Sequence, residues 1–186
     1  MIGYAFCGSF CTLSASIAAM RRLVAEGADI QPILSETVAA TDTRFFMAAD
    51  FRREVEEICH RPVICSIADA EPLGPRTPLE LLVVAPCTGN TLAKVAHGIT
   101  DTAVTMAIKA HLRTDRPLLL ALASNDALTA NLPNLGRLAV RRSVYFVPMK
   151  QDDVRAKPGS LVADFSRLPE AFYAAREGRQ LRPIFF

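Results

Sequence analysis

Residues 79–98 read LELLVVAPCTGNTLAKVAHG. The aliphatic run Leu79 to Ala85 meets Pro86, then Thr88, Gly89, Asn90 and Thr91 crowd together, and a helix follows through Leu92 to Ala96. A run with so little polar alternation is a strand buried on both faces, as in a parallel sheet covered by helices. A turn needs only one or two small polar residues, so this strand end carries more hydrogen-bonding groups than its turn uses.

The same grammar recurs on either side. Ile2 to Cys7 is a short apolar run ending at Gly8-Ser9, and Thr12 to Glu26 repeats at helical spacing with Ile17, Met20, Leu23 and Val24 on one face. Gly27 suits the cap of that helix. Asp29 to Leu34 reads as a second strand ending in Ser35-Glu36-Thr37. Phe45 to Cys59 then reads as a helix with Phe46, Phe51, Val55 and Ile58 inward. Strand, turn, helix, strand is a right-handed βαβ unit.

A short strand is expected after Pro62, which makes the run before Pro86 the fourth. Ala70 to Pro78 is a proline- and glycine-rich loop. Asp101 to Leu112 continues helically until Arg116-Pro117. Leu118 to Ala123 is a fifth strand, Asn125 to Leu135 a loop, Val144 to Val147 a last short strand, and Leu168 to Arg176 a terminal helix. The expected architecture is α/β, a single domain over residues 1–186 with an open, mostly parallel sheet between two helical layers.

Composition agrees. With 186 residues and 51% apolar content the chain can bury a full core. Mean hydropathy is positive, yet no apolar stretch approaches the roughly 18–20 residues of a spanning helix. The first ten residues lack a basic segment, and Gly3 and Gly8 interrupt any signal-like apolar core. A soluble, cytoplasmic protein is expected. The net charge of +2 carries no basic stripe that would argue for nucleic acid. Five cysteines, Cys7, Cys11, Cys59, Cys65 and Cys87, are an odd set without metal-ligand spacing, so they read as free thiols and no metal site is expected.

In parallel sheets, ligands bind beyond the carboxyl ends of the strands. Those ends are Cys7-Gly8-Ser9, Ser35-Glu36-Thr37, Pro86 to Thr91, and Ser124-Asn125-Asp126. They are rich in small hydroxyl and amide residues, and none is a lysine or arginine. Backbone N–H groups and hydroxyls at a helix N-terminus can hold a phosphate without cations. Asparagine, which both donates and accepts, suits the edge of a heteroaromatic ring. Taken singly, each end reads first as a helix N-cap. Together, four such ends on one edge argue for a phosphate-bearing ring ligand. There is no G-x-G-x-x-G, no Walker A loop and no G-x-S-x-G elbow.

The catalytic inventory is thin. His60 sits in a helix-to-strand link, and His97 and His111 lie within expected helices. Cys87 is a nucleophile only with a neighbouring base. Asp126, Asp152 and Asp153 are candidate acids or substrate ligands, and Lys94 and Lys109 read as solvated helix residues. No catalytic residue is assigned.

The stretch APCTGNTLAKVAHGITD, residues 85–101, resembles the homo-oligomeric flavin-containing Cys decarboxylase superfamily, with its Pro-x-(Ser/Thr)-x-Asn-(Thr) turn. CGSF (7–10) resembles that superfamily's phosphate turn, and Ser35-Glu36-Thr37 its second flavin-contacting segment. The resemblance is closer to one branch, the B chains of dipicolinate synthases. It rests on TDTRF (41–45), AEPLGP (70–75), APCTGN (85–90), SNDAL (124–128) and P-x-x-QDD (148–153), spread over nearly the whole chain.

The resemblance implies a Rossmann-like three-layer fold, assembly as a trimer or a multiple of three, and FMN at or near a subunit interface. It also implies a partner, the dipicolinate synthase A chain, a dinucleotide-binding protein through which NAD(P) would enter. The pair would oxidise a dihydrodipicolinate-level intermediate to dipicolinate in the mother cell of a spore-forming bacterium. By the same resemblance Gly8, Ser9 and Thr12 would hold the FMN phosphate. Thr37, Pro86, Thr88 and Asn90 would line the ribityl chain and ring, with Ser35 and Gly89 as further cofactor contacts. Ser124, Asn125 and Asp126 would occupy the position of the decarboxylases' substrate-facing Pro-Ala-Met-Asn, Ser124 and Asn125 contacting the cofactor and Asp126 the substrate. Two carboxylates on the substrate call for cations, for which Arg44 and Arg76 are the candidates.

The chain departs from the decarboxylases twice. Their catalytic histidine has no counterpart in LGPRTPLE (73–80), and their Pro-Ala-Met-Asn is Ala-Ser-Asn-Asp (123–126). Both departures count against decarboxylation of a Cys-containing acid. An accessory, non-catalytic companion of the A chain is the other alternative.

Overall fold

The computed structural model describes all residues, 1–186. In chain order the elements are β1 (Ile2–Phe6), α1 (Leu13–Ala25), β2 (Ile30–Leu34), α2 (Glu36–Ala40), α3 (Ala48–Cys59), α4 (Ile67–Ala70), β3 (Leu82–Cys87) and α5 (Gly89–His97). There follow α6 (Ala103–Leu112), β4 (Leu118–Ser124), α7 (Leu132–Ala139), β5 (Val144–Phe146), β6 (Met149–Lys150), β7 (Leu161–Ala163) and α8 (Leu168–Arg176).

The strands form a seven-stranded sheet in which β2, β1, β3, β4 and β5 are parallel neighbours in that order. The first crossover runs one way from β1 and the next returns to its other side, so the order reverses between β1 and β3. At β4 a second edge joins: β7 pairs antiparallel with Ala123 and Ser124, and β6 pairs with β7.

Strand burial explains the sequence pattern. Every residue of β1, β2 and β3 is buried. Alternate residues feed two cores. Tyr4, Phe6, Leu81, Val83 and Leu119 pack with α1, α3 and α8, while Ala5, Leu82, Val84, Leu118 and Leu120 pack with α5, α6 and α7. A side-chain period of two thus splits each apolar run between two helical layers. The first strand gains its closest approach at Gly3, where a Cβ would lie 2.6 Å from Leu82 Cδ1.

Several expectations are corrected. The strand after Pro62 is no strand, only a single bridge between Ile64 and Ile33. The helix expected from Phe45 starts at Ala48, because the Asp42 carboxylate accepts from the Ala48 N–H at 2.8 Å and caps it from six residues away. The loop expected over Asn125 to Leu135 ends early, since Pro133 opens α7 and its Leu135 and Leu138 are buried. Val144 to Val147 is not the last strand: the β6–β7 hairpin follows it.

Candidate functional site

The four expected strand ends all emerge on one edge of the sheet, as parallel strands require. The reversal between β1 and β3 opens a crevice there, the switch point at which α/β sheets bind ligands. A pocket of about 220 Å³ fills it, with Cys7 and Gly8 from the end of β1 on one side and Thr88, Asn90, Thr91 and Lys94 from the β3–α5 turn and α5 on the other. Ser35, Thr37 and Thr102 close it.

The N-cap alternative divides by residue. Thr88 is a cap: its Oγ1 accepts from the Thr91 N–H at 3.2 Å and donates to Thr91 Oγ1 at 3.1 Å. Ser35 caps α2 by accepting from the Val38 N–H at 3.4 Å. Thr102 caps α6 in a reciprocal box with Thr105. Ser9 and Thr12 cap nothing with their side chains. The Thr12 hydroxyl instead donates to the Ser9 carbonyl at 2.9 Å and to its Oγ at 3.1 Å, holding the turn after Gly8 closed.

Thr91 reaches across the crevice and donates to Cys7 Sγ at 3.3 Å, tying α5 to the end of β1. Glu36 accepts from the Ala103 N–H at 2.8 Å, so a carboxylate of the Ser-Glu-Thr end serves the N-terminus of α6. Pro86, after a cis peptide bond, offers its carbonyl to the Cys7 N–H at 3.2 Å. Burial pushes the Cys7 thiol up to about 11 and Cys87 well above its usual range. Neither is a thiolate at neutral pH.

The structure brings Gly8, Ser35, Thr37, Thr88 and Asn90 to the pocket wall. Ser9, Thr12 and Pro86 do not line the pocket; Thr12 bonds to Ser9 in the turn after Gly8, and the Pro86 carbonyl bonds to Cys7. Gly89, Ser124 and Asp126 are not on the wall: the side chains of Ser124, Asp126 and Asn131 pack against Gly89, where a Cβ would come within 2.7 Å of Asn131 Nδ2 and Asp126 Oδ1. The Asp126 carboxylate accepts from the Ser124 hydroxyl and from Asn131 Nδ2, at 3.0 Å for the latter. The Ser124 hydrogen bond, with that of Asn131, holds this carboxyl below its ordinary range. It remains a carboxylate, suited to an N–H group and not to a carboxylate ligand. Asn125 is exposed beyond it.

The two arginines do not reach the pocket. Arg44 lies exposed in the loop after α2, with its guanidinium 4.8 Å from the centre of the Phe45 ring. Arg76 sits in a turn that packs on the far end of α6, where Gly74 backs onto Ala110 and His111. That turn leads into the start of β3, at the opposite edge of the sheet. The cation the crevice does receive is Lys94. Its side chain is one-fifth exposed and its Nζ stands 2.8 Å from the Asp101 carboxylate. Helical spacing hid it: read along α5 it is one more surface lysine, and only the fold turns that face toward β1. Cys7 and Thr91 belong to the strand ends read from sequence but are not among the residues assigned to the site there, and Thr102, the cap of α6, is not read as part of it. None of the three histidines lines the pocket.

The comparisons with known proteins agree with this geometry. The flavoprotein family's sequence profile matches residues 2–158. The chain belongs to the flavoprotein family. It is 42% identical over 183 residues to the B chain of dipicolinate synthase from Bacillus subtilis (strain 168), covering 98% of this chain and 92% of that one. The crystal structure of the corresponding dipicolinate synthase B chain from Bacillus halodurans C superposes with a TM-score of 0.91 at 39% identity, covering 100% of this chain and 95% of that one. The FMN-dependent cysteine decarboxylase SpaF shares the fold, with a TM-score of 0.68 at 22% identity over 94% of this chain and 95% of that one. The flavoprotein fold thus accounts for the parallel sheet and its crevice, and no helix in it is long and apolar enough to cross a membrane.

The crevice of this flavoprotein-family chain suits part of FMN. Hydroxyls of Ser35, Thr37, Thr88, Thr91 and Thr102, with the N-terminus of α5, match a ribityl phosphate. At about 220 Å³ it falls below the roughly 300–1,000 Å³ of sites that enclose a whole drug-sized ligand.

Proposed function

We propose that this chain is the flavin-binding, B-type component of a dipicolinate synthase. In this reading it acts with a dinucleotide-binding A-type chain to oxidise a dihydrodipicolinate-level intermediate to dipicolinate. The proposed setting is the cytoplasm of the mother cell of a spore-forming bacterium. The observation that carries the reading is the hydroxyl-lined crevice at the β1/β3 switch point, in a chain so similar along its whole length to known B chains.

Aromatising a dihydropyridine dicarboxylate removes a hydride and a proton. FMN, when bound, supplies a two-electron acceptor for the hydride. The chain's own residues bind and orient. Thr88, Asn90 and Thr37 hold the ribityl phosphate, and Lys94 adds a positive charge beside it. Asp126, kept ionised by Ser124 and Asn131, offers an acceptor to a ring N–H beyond α5. Because the crevice encloses only part of a flavin, the ring is expected to finish its pocket against a second copy of this chain, consistent with a trimer or a multiple of three. NAD(P) would belong to the A-type chain.

The test is an FMN titration of the purified chain, followed by flavin fluorescence and by calorimetry. Saturable binding that Thr88→Ala/Asn90→Ala weakens at least tenfold supports the reading; no binding overturns the flavin role.

A second reading has its own observation: no base lines the crevice, the histidines lie elsewhere and both strand-end thiols are protonated. In it the chain is an accessory component that supports the A-type chain without chemistry. Full synthase activity from the Thr88→Ala/Asn90→Ala variant would favour it.

A further inference from the structure

A larger cavity lies away from the crevice, on the helical layer formed by α5 and α6. It measures about 360 Å³. Its floor is apolar, from Val95 on α5 and Ile108 and Leu112 on α6, and Ile99 stands at its mouth, 48% exposed. Around this floor stand Lys109, Arg113 and Arg141, from the last turn of α6, the residue that caps it and the chain just past α7. No carboxylate lines the cavity.

Basic residues near helix C-termini are ordinary, since they complement the macrodipole. That explains each cation singly. It does not explain why three from separate places meet over one apolar hollow that no carboxylate lines. Arg21 and Arg22 on α1, Arg52 and Arg53 on α3, and Arg167 just before α8 each pair with a carboxylate. Lys109, Arg113 and Arg141 have no such partner. An apolar floor of this volume with convergent charges is the ordinary form of a small-ligand site, and the charges select its sign.

We propose that this cavity is a second binding site for a small aromatic dicarboxylate, whose ring lies on Val95, Ile108 and Leu112 while its carboxylates meet Lys109, Arg113 and Arg141. The choice of an aromatic dicarboxylate rests on the proposed function, since the product there belongs to that class. The site is separate from the crevice and would let that product act on the chain without competing for the flavin position.

The experiment is calorimetry with pyridine-2,6-dicarboxylate, and with the uncharged pyridine-2,6-dicarboxamide as control, on the full chain, on Arg113→Gln/Arg141→Gln and on Thr88→Ala. Both arginines are exposed, so their replacement leaves the fold intact. The dicarboxylate is expected to bind the full chain and Thr88→Ala alike, to lose roughly tenfold or more in affinity in the arginine variant, and to weaken with salt. The diamide is expected not to bind. No heat with the full chain, equal binding by the arginine variant, loss confined to Thr88→Ala, or equal binding of the diamide would overturn the proposal. A parallel FMN titration of the same proteins keeps the two readings apart: flavin affinity is expected to fall in Thr88→Ala and to hold in the arginine variant, whatever the dicarboxylate does.

Discussion

Lys94 Nζ lies 2.8 Å from the Asp101 carboxylate on the wall of the crevice. The pair links the middle of α5 to the turn before α6, and the lysine holds that carboxyl below its ordinary range. The Lys94 side chain is one-fifth exposed, but Asp101 is 55% exposed, so the pair itself is open to solvent. If the lysine neighbours the flavin phosphate, Lys94→Met should weaken FMN binding about fivefold to tenfold and flatten its salt dependence. Lys94→Arg should keep most of both. Equal FMN affinity in Lys94→Met, measured by fluorescence quenching, would confine this lysine to a structural role.

Gly89 is the first residue of α5, a place where alanine would ordinarily favour the helix by up to ~1 kcal/mol. The Asp126–Asn131 contact reverses the sign. A methyl group at 2.7 Å from both side chains must push them away, so Gly89→Ala should destabilise the chain by about 1–3 kcal/mol. Denaturant unfolding reads the effect directly. A gain in stability would mean that the loop after β4 yields without cost.

Thr88→Ala removes the cap of α5 and one wall of the crevice together. The stability loss should be ~1 kcal/mol, and Thr88→Ser, which retains the acceptor, should recover most of it. Flavin affinity and unfolding midpoint should therefore fall together in the alanine variant and return together in the serine one.

His111 is fully buried, and its Nε2–H donates to the Pro117 carbonyl at 2.8 Å while Nδ1 has no partner. Burial holds its pKa below the ordinary 6.5. Between the folded and unfolded values the unfolded chain carries the extra proton. The neutral imidazole's contribution is therefore complete above pH 6.5 and is lost as pH falls through the folded value. Unfolding midpoints across pH 5 to 8 should show this loss on the acid side. His111→Gln, which can still donate to Pro117, should flatten it.

Cys87, a candidate nucleophile by sequence, is fully buried, as is Cys7 to within 1%. Cys11 is exposed. Iodoacetamide at pH 8 should modify Cys11 first and leave Cys7 and Cys87 intact, as read by peptide mapping. Labelling of Cys87 at a rate near that of Cys11 would restore it as a reactive group.

Much was legible in the chain itself. Runs such as Leu118 to Ala123, of strand length and bounded by Pro117 and Ser124, read as strands buried on both faces, and their polar ends share an edge because parallel strands all point one way. Thr88 as a helix cap follows from local rules alone. The short hairpin of β6 and β7 was not legible, because strands of two and three residues form only where β4 offers its edge.

The site divides the same way. Gly8, Ser35, Thr37, Thr88 and Asn90 could be named from sequence because each ends a strand or starts a helix. Lys94 could not, because a helix face has no address until it packs against a sheet, and Thr102 could not, because the start of α6 meets the crevice only through the fold. Arg76 failed for the converse reason: the loop that carries it runs to the far edge before β3 begins. Local hydrogen bonding and side-chain period are properties of short segments, and the sequence determined them. Which segments meet across the β1/β3 crevice, and which cations gather over the α5–α6 hollow, depends on contacts between residues distant in the chain, and only the tertiary structure decided those.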